Sequence, residues 1–271
     1  MIEQPRVLDT PIIALTWFDL VLAGGLVLIA VGIARSQRLG VGRGFVVGAI
    51  RTVVQLTCVG YILVYIFALD RWPLVVAALL LMLAVAVHTA LAWQRHPSRQ
   101  LYGAMGVALL AGSGLTLVYV GAIIVQVDPW YNPRYLIPLF GMIVGNAMNA
   151  AALATERLAG EMESRRAEIE AYLALGASAE RAAQEPVRRA LVAALIPTIN
   201  SLMVVGIVSL PGMMTGQILA GVSPLTAIRY QIVVMFMLCS AVAISAAAVT
   251  LWYRWSFFTP ALQLRDPVVD A

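Results

Sequence analysis

Seven stretches of this chain are so long and so uniformly apolar that their backbone has few ways to satisfy itself: about residues 12–34, 44–69, 73–93, 101–127, 136–155, 188–210 and 225–252. A peptide group left unpaired in hydrocarbon costs several kcal/mol, so a bilayer admits only helices and closed barrels, and a helix needs about 20 apolar residues to cross. Barrel strands alternate apolar and polar positions. These runs do not alternate, so they read as helices. Composition agrees: 61% of the 271 residues are hydrophobic and 12% are charged, against about 25% charged in a soluble domain. The expected fold is an all-α integral membrane protein of about seven transmembrane helices, forming one domain over residues 1–271. The first run is not read as a secretory leader, because Glu3 and Asp9 precede it and its apolar stretch is too long.

All 18 positive residues are arginine. Without lysine the chain has no P-loop for nucleotide phosphates and no amine for a retinal Schiff base. With the N-terminus outside, 13 arginines fall in cytoplasmic segments: Arg35, Arg38 and Arg43, then Arg95 and Arg99, then those from Arg157 to Arg189, then Arg254 and Arg265. Only Arg6, Arg71 and Arg134 are then outside, with Arg51 and Arg229 in or near spans. The positive-inside rule therefore predicts an outside N-terminus and a cytoplasmic C-terminus. Because the arginines gather at helix ends, the net charge of +4 is not a nucleic-acid signal. Cys58 and Cys239 fall in spans and read as small apolar residues.

The one long polar segment, residues 156–190, holds seven of the 14 acidic residues and six arginines. Leu158, Met162, Ile169, Tyr172 and Leu173 recur at helical spacing, with Glu161, Arg165, Arg166 and Glu168 on the remaining surface. The pattern predicts a cytoplasmic amphipathic helix between the fifth and sixth spans. Gly176 should end it as a left-handed cap, and Ser178 should cap a second short helix with Glu180 in its first turn. A solvated helix lying on the membrane accounts for this pattern. A coupling role is the alternative, because Glu170, Ala171 and Gly176 stand at the spacing of the EAA loop, which resembles the segment that membrane subunits of ABC importers dock into a separate ATPase; Ala177 and Ser178 complete that elbow.

Polar groups inside the spans raise a second question. In the fifth, Asn146 and Asn149 share a helical face with Met142 and Gly145, while Gly141 and Gly145 form a GxxxG pair suited to close helix packing. Packing alone would have the amides bond across a helix contact, for about 0.6–2 kcal/mol. The functional alternative has them facing a cavity and handling a solute, as intramembrane polar residues tend to do. The sixth span adds Pro197, Asn200 and Ser201, and the second adds Arg51, Thr52 and Gln55, with Arg51 able to snorkel to the surface. Residues 209–224 are uncharged and broken by Pro211, Gly212, Gly216, Gly221 and Pro224, so they are expected as a re-entrant segment or an ordinary outer loop, with Met213 and Met214 as its distinctive side chains. Thioethers favour soft ions and do not single out iron. His88 is the lone histidine in a span, and the deepest carboxylate is Asp19, so neither a proton relay nor an H-E-x-x-H or G-x-S-x-G catalytic motif is visible. The chain reads as a non-enzyme that draws its energy from elsewhere.

The stretches "RTVVQLTCVGYIL", "PLFGMIVGNAMNAAALATERLAGE", "EAYLALGAS" and "PTINSLMVVGIVSLPGMMTGQILAGVSPLTAIRYQIVVMFM" together resemble the FetB family of ABC permeases, over about residues 44–253. Those are bacterial inner-membrane proteins associated with iron export, with plant relatives linked to aluminium tolerance. The resemblance implies a permease acting as a homodimer in the bilayer with a separate ABC ATPase, ATP and magnesium being held by that partner and no cofactor by this chain. On that reading Asn146, Asn149, Met142, Asn200, Ser201, Gln55, Met213 and Met214 line the substrate route, and Glu170, Ala171, Gly176, Ala177 and Ser178 form the coupling elbow. Import of a small solute, a non-transporting scaffold or sensor, and a stand-alone channel remain open alternatives.

Overall fold

A computed structural model describes residues 16–92, 94, 98–261 and 263–265. Helices dominate, and the described residues contain no strand beyond two isolated bridges, Val205 with Ser209 and Phe258 with Leu264. Among the described residues seven helices are long and apolar enough to cross a membrane. They fall into two compact units, Met1–Asp70 and Arg71–Ala271.

The first unit contains α1 (Trp17–Ser36) and α2 (Gly42–Leu69), which pack on each other. Thr16 opens α1 with a reciprocal capping box: its hydroxyl accepts from the Asp19 N–H, and the Asp19 carboxylate accepts from the Thr16 N–H at 2.8 Å. Only Ala34 of α1 and Ile66 of α2 are buried, as suits helices whose surroundings are lipid tails.

The second unit holds α3 (Trp72–Leu91), α4 (Arg99–Tyr119), α5 (Pro133–Ser164), α6 (Arg166–Ala174), α7 (Ala179–Ala182), α8 (Gln184–Val204), α9 (Gly212–Leu219) and α10 (Pro224–Tyr253). A π-helical turn, Val120–Ile124, extends α4, and a 3₁₀ turn, Arg254–Phe257, extends α10. α10 lies along α4 and α5, and α5 also packs on α3 and α8. The α4–α10 contact depends on small residues. A Cβ at Gly112 would collide with the Ser245 hydroxyl and stand 2.9 Å from the Ala241 carbonyl oxygen, so the two backbones approach as closely as only glycine permits. Ser245 fixes the register by donating to the Ala108 carbonyl at 3.2 Å.

The helix boundaries depart from the hydropathy pattern in informative places. α5 does not stop at residue 155 but continues to Ser164, because Leu158 and Met162 stay buried and Glu161 pairs with Arg165 one turn on. Within the chain no backbone closes on the GxxxG pair: a Cβ on Gly141 would meet the Met82 side chain of α3 at 3.0 Å, and one on Gly145 would meet nothing within 4 Å. Residues 209–224 contain a short helix, α9, whose Met213 packs against the main core.

Gly112→Ala is expected to destabilise the protein by about 1–3 kcal/mol through overpacking, read as a lower thermal midpoint in detergent. Gly145→Ala, with open space around its added methyl, should leave the midpoint unchanged. Equal midpoints would contradict the close α4–α10 crossing.

Candidate functional site

A cleft of about 380 Å³ opens between α5, α8 and α10. Helical period builds its walls: Asn146, Asn149, Ala150 and Leu153 on α5, and Ala194, Pro197, Thr198 and Ser201 on α8, each follow steps of three or four, with Val205 joining just past the end of α8. Met235 and Leu238 contribute from α10, and Ser209 and Pro211 from the turn after α8. That turn forms where α8 stops: Val205 is extended, Gly206 takes φ +84°, and the Gly206 N–H donates to the Ser209 carbonyl at 2.9 Å. At its other end the cleft is floored by alanines. Ala150 and Ala194 belong to a buried cluster with Ala154, Val242 and Ala246, where the three helices meet through small side chains.

The polar groups at the cleft are uncharged. The Asn146 amide donates to the Met142 carbonyl at 2.9 Å, which leaves its oxygen and one N–H for other partners. Ser201 donates to the Pro197 carbonyl at 2.9 Å and so presents lone pairs. Asn149, Thr198 and Ser209 complete the set.

Three of the residues expected on the route therefore meet here: Asn146, Asn149 and Ser201. Met142 packs against the main core instead, as does Met213, and Met214 does not line the cleft. Asn200 is exposed but turned roughly a third of a turn from the lining face. Gln55 is an exposed residue of α2 in the other unit. Thr198, Met235 and Leu238 were not singled out from sequence. Thr198 was nonetheless legible, since it stands four residues beyond Ala194 and three before Ser201 on the face that carries Pro197.

The elbow adopts the expected geometry. At the end of α6 the Gly176 N–H donates to the Leu173 carbonyl at 3.0 Å and the Ala177 N–H to Tyr172 at 2.9 Å, with Gly176 at φ +86°, the left-handed glycine closure. Ser178 caps α7 by accepting from the Arg181 N–H at 3.3 Å. Beneath the elbow, Ile169, Ala179 and Ala182 share one buried cluster with Leu158 and Met162 of α5 and with Tyr253 of α10. Above it, Arg166 holds Glu170 at 2.8 Å, and Arg254 at the end of α10 holds Glu180 at 2.7 Å. Exposed pairs of this kind add little stability but fix orientation. A groove of about 290 Å³ runs between α6 and the start of α8, lined by Arg165, Glu168, Tyr172, Arg181 and Glu185 among others.

Comparison with known proteins extends the likeness to nearly the whole chain. The profile described as "Uncharacterised protein family (UPF0014)" matches residues 17–258. The "UPF0014 membrane protein slr1647" of Synechocystis is 40% identical over 257 residues, 95% of this chain and 99% of that protein. "Protein ALUMINUM SENSITIVE 3" of Arabidopsis thaliana is 39% identical, with 90% of this chain and 88% of the relative covered. The "Probable iron export permease protein FetB" of Escherichia coli is 37% identical, with 87% and 90% covered. No solved structure matches. With seven apolar helices and full-length likeness to these membrane proteins, the chain is a multi-pass membrane protein belonging to the UPF0014 family.

Proposed function

We propose that this chain is the permease subunit of an ABC transporter of the bacterial inner membrane, moving iron or a related metal or small solute outward. ATP is hydrolysed, with its magnesium, on a separate ATPase subunit. The observation that carries this reading is the cleft between α5, α8 and α10, which sets amides and hydroxyls at positions where a packing role alone would leave them underused. The relative named as an iron export permease supports the transport class and the cargo. The elbow supports the division of labour: a rigid glycine-closed turn between two short helices offers a partner a surface to grip, and its underside belongs to the core of α5 and α10. Two copies act together on this reading, which is supported by Asn200, exposed on an apolar helix away from the cleft, where lipid offers no hydrogen-bond partner and a second copy would.

Docking at the elbow is tested by Gly176→Trp. No atom lies within 4 Å of a Cβ there, so the side chain would project from the elbow, and the left-handed backbone adds its own strain. The expected outcome, in proteoliposomes with the cognate ATPase, is ATP hydrolysis that no longer depends on the permease. Gly176→Asn, which tolerates the left-handed region, should retain coupling. Normal coupling in the tryptophan variant would remove the elbow from the mechanism.

The route is tested by Asn149→Leu. ATP-driven iron flux in inverted vesicles should fall about five-fold or more, the loss of one or two hydrogen bonds to the solute, while assembly with the ATPase persists. Uptake into inverted vesicles corresponds to export, and flux only in right-side-out vesicles would establish the importer reading instead.

A further inference from the structure

The cleft that the proposed function places on the transport route also says what kind of cargo fits it. Among the described residues its polar lining consists of two amides and the hydroxyls of Thr198, Ser201 and Ser209, with Met235 as the one sulfur and no carboxylate, imidazole or thiol. Among the described residues no group of three or more His, Cys, Asp or Glu side chains is placed to hold a metal ion. Amide and hydroxyl oxygens can approach a cation, but with no carboxylate they leave its charge uncompensated, and an uncompensated ion away from water carries a desolvation penalty of several kcal/mol. A lone thioether suits only soft ions.

Size points the same way. The volume of about 380 Å³ falls in the range of pockets for small organic ligands, about 300–1,000 Å³, far more than a bare ion with oxygen ligands at about 2.0–2.6 Å requires. The hydrogen-bonding capacity is mixed. Ser201 has committed its one donor to the backbone and offers oxygen, Asn146 keeps its oxygen and one N–H, and Asn149 offers both edges of its amide. Leu153, Val205 and Leu238 supply apolar contact around these groups.

We infer that the cleft receives an electrically neutral solute whose oxygen and nitrogen atoms hydrogen-bond to Asn146, Asn149, Thr198 and Ser201, and that a metal crossing here does so inside such a complex, not as a bare cation. This deepens the transport reading, on which it rests for the cleft being the route.

The test is equilibrium binding to the full chain in nanodiscs, without the ATPase, so that failure of the ATPase partnership and failure of this inference give different results. The probes are two neutral chelates, tris(acetohydroxamato)iron(III) and tris(maltolato)iron(III), against ferrous chloride kept reduced and against anionic ferric citrate. At least one neutral chelate should bind saturably, and Asn146→Ser and Asn149→Ser should each weaken it by about five- to ten-fold, the loss of one or two neutral hydrogen bonds. Asn149→Asp, nearly isosteric and therefore gentle on folding, should shift the preference toward ferrous ion by about ten-fold through the added charge. The inference is overturned if ferrous ion binds the wild type with dependence on Asn146 and Asn149, if neither neutral chelate binds, or if chelate affinity ignores all three substitutions.

Discussion

In hydrocarbon a polar group must bring its partner with it, and the rest of this structure follows from how each one does so. Backbone groups close into helices. Hydroxyls turn back on their own helix: Thr52, Thr57, Thr89, Thr155 and Thr250 each donate to the carbonyl four residues earlier, at 2.6–2.9 Å. A hydroxyl is short and has one proton, so this bond absorbs its only donor. An asparagine amide is different. Asn146 makes the same backward bond and still keeps an oxygen and an N–H. Part of the polarity left over after helix formation therefore sits on the asparagines, and the fold sets two of them, Asn146 and Asn149, on one cleft.

Small residues decide where that cleft lies. Gly112 and Ser245 bring α4 and α10 together, and Ala150, Ala154, Ala194 and Ala246 bring α5 and α8 onto α10. Helices in lipid gain little from burying apolar surface against one another, so close approach of backbones replaces the hydrophobic drive. Along α8 the stripe Val187, Ala190, Ala194 is buried; Pro197, Thr198 and Ser201 continue it as cleft wall. The change from alanine to proline and hydroxyl residues is the point at which packing gives way to a space.

Much of this was written in the sequence, and the parts that were not share a cause. Apolar runs located seven spans because desolvating a helix is a local property of 20 or so residues. The elbow was legible for the same reason: Gly176 and Ser178 act on hydrogen bonds within three residues of themselves. Boundaries set by tertiary burial were not. α5 continues past its apolar run because Leu158 and Met162 meet Ile169 and the alanines of α7, contacts that hydropathy cannot register. The close crossing inside the chain was not legible for a related reason. Gly141 and Gly145 carry the familiar spacing, yet the crossing occurs at Gly112, since only the partner helix determines which small face is used. Asn200 looked equivalent to Ser201 until helical phase separated them.

The same buried contacts bear on how force applied at the elbow would travel. Exposed ion pairs such as Arg166 with Glu170 yield easily, so they cannot carry a load alone. The cluster beneath them can. Ile169 of α6 and Ala179 and Ala182 of α7 are packed with Leu158 and Met162 of α5 and Tyr253 of α10, at a density that resists compression. α5 and α10 are also two of the three walls of the cleft. Because α5 is unbroken from Pro133 to Ser164, a displacement received near Met162 reaches Asn149 and Asn146 as motion of one rigid rod. α8 is joined to the elbow more directly still, since only Ala183 separates the end of α7 from its start at Gln184. All three walls of the cleft thus have one end at the elbow, so the cleft and the elbow share one set of buried contacts.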